Sequence, residues 1–254
     1  MRLLKEGKYR IRGTTRDLAN EKKIGPLKEA YGKELFSKLE LVEADLTDRG
    51  SLLKACKGAN YIIHTASPLP LGAISNEEEI INPAVEGMKA IMEAARENRV
   101  KKVVYLSSLA TIAYTVKIKK LYTPQDWSEM PACSAYEKSK LLAEKYAWDY
   151  VKGLKEDKKF DFCTINPGLV MGPSIKTEPF SSGGAMTAIL KGLMPAVPRV
   201  SVPISDVRDV CDALILALET EQAAGKRFII AHQSVWFRDI GKILAPKFKD
   251  FSPV

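Results

Sequence analysis

A chain of 254 residues, 46% apolar and 28% charged, can bury one sizeable core and has neither a disordered nor a low-complexity composition. No apolar run is long enough to span a bilayer and no hydrophobic signal core stands at the N-terminus, so a cytoplasmic protein with no membrane partner is expected. The net charge of +8 admits an anionic partner such as a phosphate-bearing cofactor, or simply a lysine-rich surface; because the lysines are scattered, with no basic tract interleaved with aromatics, nucleic acid is not expected.

Met1–Glu6 has the pattern of a helix tail, closed by Gly7 where a C-cap glycine belongs. Tyr9–Thr14 alternates like a strand, and Leu39–Glu43, Tyr61–Thr65, Val103–Ser107 and Phe162–Asn166 are further short strands rich in β-branched or aromatic residues. Helix-patterned segments separate them: Glu21–Tyr31, Arg49–Cys56, Glu77–Asn98 and Ser134–Val151. The third carries an apolar stripe of Ile80, Ile81, Ala84, Met88, Ile91, Met92 and Ala95. Prolines and glycines gather from Pro167 to Pro203 and predict a loop-rich lobe. Ser205 is placed to cap a helix from Asp206 to about Leu218, Lys226–Ala231 is one more strand, and Trp236–Leu244 a last helix. Strand alternating with helix predicts an α/β fold, a doubly wound parallel sheet covered on both faces. Residues 1–166 would form the sheet domain and 167–254 a small C-terminal lobe interleaved with the last sheet elements. Four scattered cysteines (Cys56, Cys133, Cys163, Cys211) and two histidines (His64, His232) suggest reduced thiols and no metal site.

Several stretches carry chemistry. In "SAYEKSK", Tyr136 and Lys140 are four apart and share a helix face. An ammonium beside a phenol stabilises the phenolate and eases proton transfer, and a lysine can also donate to ribose hydroxyls; the alternative is a surface tyrosine with a solvated lysine. "VVYLSSLAT" ends a buried strand in Ser107 and Ser108, at the carboxyl end where open α/β sheets bind ligands. Either hydroxyl could orient a substrate carbonyl, or both could cap loop backbone. Arg16 follows Tyr9–Thr14, the second strand of the presumed fold, where an arginine accommodates a ribose 2′-phosphate, with Lys22 and Lys23 close by; this favours NADP, whereas Asp17 would favour NAD. Asp45 and Leu46 could meet an adenine edge, and the small residues around Ala66 would let a flat ring approach the backbone. His64 has the position of a satisfied strand-end histidine.

In this order the motifs resemble the extended short-chain dehydrogenase/reductases, the NAD-dependent epimerase/dehydratase superfamily with a Rossmann-like fold, and within it the dihydroflavonol-reductase-like and 3β-hydroxysteroid-dehydrogenase-like branch. The resemblance runs from about Lys8 to about Phe251, through "GTTRDLANEKK", "EADLTDRGSLLKACKGANYIIHTASP", "NPAVEGMKAIMEAA", "VKKVVYLSSLAT", "SAYEKSKLLAEKYAWDYV", "FDFCTINPGLVMGP" and "ISDVRDVCDALILALE". It implies that Ser108, Tyr136 and Lys140 are catalytic. It also implies that Arg16 and Lys23 contact a 2′-phosphate, that Asp45 and Leu46 line the adenine pocket, and that Ala66 lies near the pyrophosphate and nicotinamide ribose. Pro167, Gly168 and Leu169 would hold the nicotinamide carboxamide. The activity implied is reduction of a small-molecule carbonyl, or its reverse, with hydride from NADPH and a proton from Tyr136.

The chain departs from that pattern in three places. It carries no first strand and no G-x-x-G-x-x-G turn, and Gly183–Gly184 lie too late to substitute, so an incomplete product with two unpaired strand edges is expected. Its C-terminus stops before further elements of the substrate lobe. Ile112–Cys133 lacks the asparagine that flavonoid reductases place soon after the serine, so a flavonoid substrate is not expected. Two other functions compete. A nucleotide-sugar epimerase or dehydratase with bound NAD is one, against which Arg16 and Lys23 count. The other is a catalytically dead remnant that binds a partner protein.

Overall fold

The computed structural model describes residues 1–68, 76–175, 181–191, 193, 199–244 and 246. Helix α1 (Arg2–Glu6) closes at Gly7, whose φ of 67° is the left-handed conformation that only glycine adopts cheaply. Strand β1 (Ile11–Thr15) leads to α2 (Glu21–Phe36), which the Asn20 side chain caps; a turn at Gly32, φ 68°, interrupts this helix beyond the end expected at Tyr31. Then come β2 (Leu39–Glu43), α3 (Arg49–Cys56), β3 (Tyr61–His64), α4 (Glu78–Glu97), β4 (Lys102–Leu106), α5 (Ala135–Lys152) and β5 (Asp161–Pro167). Each lies within two residues of its expected position. Helix α5 starts where the Glu137 carboxylate accepts the Ser134 N–H at 2.8 Å, half of a capping box.

The C-terminal part is richer in elements than its prolines and glycines suggest. Strand β6 (Leu169–Met171) and helix α6 (Ser181–Leu190) fall inside the stretch expected to be loop-rich, and β7 (Ser201–Asp206) begins there. Helix α7 (Val207–Glu219) follows, then β8 (Arg227–Ile230), β9 (Ser234–Trp236) and α8 (Phe237–Leu244). Trp236 therefore ends a strand and does not begin the last helix. Ser205 is not the cap of α7 either: it is buried in β7, its hydroxyl donating to Ile230 O at 2.5 Å and accepting from Gly168 N at 2.8 Å. The cap is Asp206, which accepts the Arg208 N–H at 2.8 Å.

Strands β3, β4, β5 and β8 form a parallel sheet in the order β3-β4-β5-β8, registered Tyr61↔Lys102, Val103↔Phe162 and Ile165↔Phe228. Strands β1 and β2 form a separate parallel pair, and β6, β7 and β9 a small mixed sheet. Among the described residues β1 pairs with β2 alone and β3 with β4 alone, so, besides the outer edges of β2 and β8, one edge of β1 and one of β3 carry no ladder. Tyr9 and Tyr61 meet edge to face between these sheets, ring centroids 5.9 Å apart. The four-stranded sheet is covered on both faces, because successive residues of a strand point to opposite sides. Val103 and Phe162 join Met88, Met92 and Ala95 of α4 and Ala143 and Ala147 of α5 on one side. Val104, Cys163 and Ile165 join Val210, Leu214 and Leu218 of α7 on the other. This is the expected α/β, Rossmann-like architecture. Its parallel strands bring all their carboxyl ends to one side.

Candidate active site

Ser108 lies just beyond β4 in an extended conformation and caps the short turn Leu109–Thr111, its Oγ accepting from Ala110 N at 3.1 Å. Tyr136, on the first turn of α5, lies close enough for the Ser108 side chain to act on its phenol. Ser107, the other candidate, points away from the crevice: its hydroxyl donates to the buried Glu144 carboxylate. The alternation of a strand end has therefore decided between two adjacent serines that sequence left equivalent.

Lys140 follows Tyr136 by one turn and is almost fully buried. Its Nζ donates to Leu106 O at 3.1 Å and stands 5.2 Å from the Tyr105 ring centroid. Burial pushes the ammonium down to about 8, the Glu144 carboxylate working against that shift. The phenol of Tyr136 is raised from its ordinary value by burial, and the neighbouring Ser108 side chain pulls it back only in part. The depression of the phenol by Lys140, expected from the spacing, does not appear in this arrangement. The two side chains share a face, but the ammonium is directed to Leu106 O and Tyr105. His64 ends β3, buried and stacked on Tyr105 at 5.4 Å; burial first, and the neighbouring Lys140 second, lower it to about 3, so the imidazole is neutral.

The other candidates stand on neighbouring strand ends. Arg16 is exposed just past β1, and Lys23 is half-buried in the first turn of α2, where its N–H bonds Asn20. Among the described residues neither has an ion-pair partner within salt-bridge distance. Asp45 follows β2; its carboxylate accepts from Thr47 N at 2.8 Å and Thr47 Oγ1 at 2.7 Å, and these bonds, with a smaller contribution from Arg16, hold it below the usual carboxylate range. Leu46 packs on α4 at Gly87, where an added Cβ would stand 2.7 Å from Leu46 Cδ2. Ala66 is exposed past β3, next to Ser67, whose buried Oγ has no hydrogen-bond partner among the described residues. Pro167 ends β5 opposite Ile230, and Leu169 in β6 lies opposite Ile204. Between them an added Cβ on Gly168 would meet Pro203 O at 2.3 Å, so only glycine fits. No group of three or more His, Cys, Asp or Glu placed to hold a metal ion occurs among the described residues.

Sequence reasoning missed the polar cluster beneath these residues. Glu144 is fully buried and accepts from Ser107, Thr111, Trp148, Thr164, Asn166 and Arg227. The available signal was its spacing: four residues after Lys140, it lies on the face of α5 that must be buried.

A parallel sheet wound with helices, with serine, tyrosine and lysine at one strand end and unpaired cations at another, defines an α/β fold of the dinucleotide-binding class. The chain belongs to the NAD dependent epimerase/dehydratase family, which it matches over residues 1–231. It is 32% identical to a dihydroflavonol 4-reductase of Arabidopsis thaliana, over 99% of this chain and 66% of that protein. It is 33% identical to cinnamoyl-CoA reductase 1 of Petunia hybrida, over 99% and 74%. The crystal structure of Gre2 from Candida albicans in complex with NADPH superimposes with a TM-score of 0.84 at 30% identity, covering 98% of this chain and 78% of that one. The chain thus spans about two thirds to three quarters of the two named reductases' own length.

Proposed function

We propose that this protein is an NADP-preferring oxidoreductase that interconverts a carbonyl and a secondary alcohol. The observation that carries the reading is the Ser108 side chain set beside the phenol of Tyr136, with Lys140 one turn further along the same helix face. The named reductases and the NADPH-bound neighbour support the same class.

The residues present fit such a cofactor at several points. Arg16 and Lys23 are cations without ion-pair partners among the described residues, placed for a 2′-phosphate. Asp45 and Leu46 stand at the adjacent strand end for the adenine, and Ser67 Oγ, beside Ala66, is a buried polar atom lacking a partner among the described residues. Lys140 Nζ has one protein acceptor, Leu106 O, which leaves donors for ribose hydroxyls. Pro167, Gly168 and Leu169 form the turn facing the nicotinamide end. When bound, the dinucleotide supplies or accepts the hydride. Ser108 and Tyr136 hold the substrate oxygen, Tyr136 keeps at Oη the proton that the oxygen receives, and Lys140 orients the sugar from below.

The reading extends to a division near residue 166 between a cofactor-binding part and a substrate lobe. It also extends to a cytosolic location, supported by four free cysteines. Among the described residues no helix is long and apolar enough to cross a membrane. The substrate is a small carbonyl other than a flavonoid, a reading supported by the lack of any asparagine in Ile112–Cys133.

The test is a calorimetric titration with NADPH and NADH, followed by NADPH oxidation with a panel of ketones and aldehydes. Tighter NADPH binding and turnover of at least one carbonyl are expected. A chain that binds neither dinucleotide overturns the proposal, and a bound NAD that never exchanges would favour the epimerase alternative.

A further inference from the structure

The catalytic serine is held from below by a device that the reduction chemistry does not itself require. Arg227, at the start of β8, donates from Nε to Glu144 Oε1 at 2.6 Å, and both side chains are buried. Its remaining donors reach elsewhere. Nη1 bonds Pro124 O at 2.7 Å and Asp126 O at 2.6 Å, and Nη2 bonds Thr111 Oγ1 at 2.9 Å. The guanidinium also stacks on Trp127, 3.8 Å from the ring centroid. One planar group therefore joins β8, the catalytic helix α5, the turn after Ser108 and the base of the loop Ile112–Cys133. The tip of that loop is not so held: Ile118 is 91% exposed and Leu121 75%.

Glu144 completes the arrangement around Ser108. Its Oε2 accepts from Ser107 on one side of Ser108 and from Thr111 Oγ1, at 2.7 Å, on the other. Asn166 Nδ2 bridges Glu144 Oε2 at 2.9 Å and Ser108 O at 3.2 Å. The backbone of Ser108 is thus tied, through one carboxylate, to the helix that carries Tyr136 and Lys140. An isolated buried carboxylate is costly, and a buried ion pair seldom gives net stability over an apolar filling, so a structural role explains this cluster poorly. Fixed geometry is what such a network provides.

We propose that Glu144 and Arg227 are positioning residues: their buried pair sets Ser108 against Tyr136 and fastens the base of the Ile112–Cys133 loop to the same point. Only the kinetic part of the test rests on the reductase reading. The structural part is hydrogen exchange of the full chain, comparing wild type with Arg227→Lys and Arg227→Met. Lysine keeps a charge for Glu144, so the fold survives, but it lacks the fork that reaches Pro124 and Asp126. The amides of Tyr114, Ser128 and Glu129, now bonded within the loop, should exchange roughly tenfold faster in Arg227→Lys, the loss of one charge-assisted hydrogen bond, and faster still in Arg227→Met. Those of Val103, Val104 and Phe162 in the sheet should hold their wild-type rates in Arg227→Lys. Unchanged loop exchange in Arg227→Lys, or uniform acceleration of loop and sheet together, overturns the proposal. With a carbonyl substrate, kcat of Arg227→Lys should fall while KM for NADPH stays within about twofold. An unaltered kcat overturns the positioning of Ser108. If the wild type reduces no carbonyl, the reductase reading has failed and the exchange pattern alone decides the strut.

Discussion

The strand pairs β1–β2 and β4–β5 are built alike, parallel and registered over five residues, and they live in different surroundings. No residue of β1 or β2 is buried, whereas Lys102–Tyr105 of β4 and Phe162–Pro167 of β5 all are. The difference separates two jobs. Ser108 hangs on the end of a strand packed on both faces and cross-linked to α5. Arg16 and Asp45, which would hold the adenosine end of the cofactor, hang on a pair that owes little to the main core. Chemistry that depends on sub-ångström placement belongs on the rigid pair, whereas recognition of a phosphate by long cationic side chains tolerates the loose one. The sharpest way to test the rigid half is Tyr136→Phe, which removes the proton and leaves the packing. Catalytic efficiency should fall by about 10²–10⁴ with the melting temperature unchanged, measured as kcat/KM for NADPH-dependent carbonyl reduction. A variant with near wild-type activity would remove Tyr136 from the reaction.

Stability should divide along the same line. Phe162→Ala empties the centre of the main core, against Trp148 at 4.7 Å between ring centroids, and should cost about 3–5 kcal/mol in urea unfolding. Leu41→Ala, in β2, should cost no more than about 2 kcal/mol, because that side chain is only half-buried. Equal losses would erase the contrast. Gly168→Ala lies between these two. Its Cβ would run into Pro203 O, and the backbone shift that relieves the clash should cost about 1–3 kcal/mol and move the Pro167–Leu169 turn.

The contrast also explains what could be read from the residues. Strands and helices of the main sheet announced themselves, because burial on both faces demands apolar runs and α4 demands a stripe. The C-terminal lobe did not. In α6, "SSGGAMTAIL", two glycines and two serines mask a short apolar face of Met186 and Ile189, which packs on Ile240. Pro203 stands within β7, and the three-residue strands β6 and β9 are too short to alternate visibly. At the site, the spacing of Tyr136 and Lys140 and the order of the strand ends were legible. The choice of Ser108 over Ser107 rested on resemblance, because nothing in two adjacent serines says which faces the crevice. Arg227 was invisible: its partners Glu144, Pro124 and Thr111 lie some eighty to more than a hundred residues away, and no local pattern marks an arginine that starts a strand as a buried one.

Arg16→Ala probes the loose half. NADPH affinity should drop by roughly 10–100-fold, the worth of one or two charge-assisted bonds, with NADH affinity nearly constant and stability untouched. Parallel loss for both dinucleotides would show that Arg16 does not read the phosphate. The smallest effect expected concerns pH. Lys140 is faced by His64 from β3, by Tyr105 and Leu106 O from β4, and by Glu144 from its own helix. Burial holds its folded-state value near 8, against 10.5 when unfolded. Between those values the unfolded chain binds more protons than the native one, so this lysine makes stability rise with pH, by less than about 1.4 kcal/mol per unit. Below pH 8 its contribution is flat and unfavourable. Urea midpoints of wild type and Lys140→Met from pH 7 to 10 isolate this contribution, since the other titrating groups cancel in the difference. The wild type should gain on the variant as pH rises. If it loses ground instead, the Glu144 carboxylate outweighs burial and the native state holds Lys140 as a stabilised ammonium.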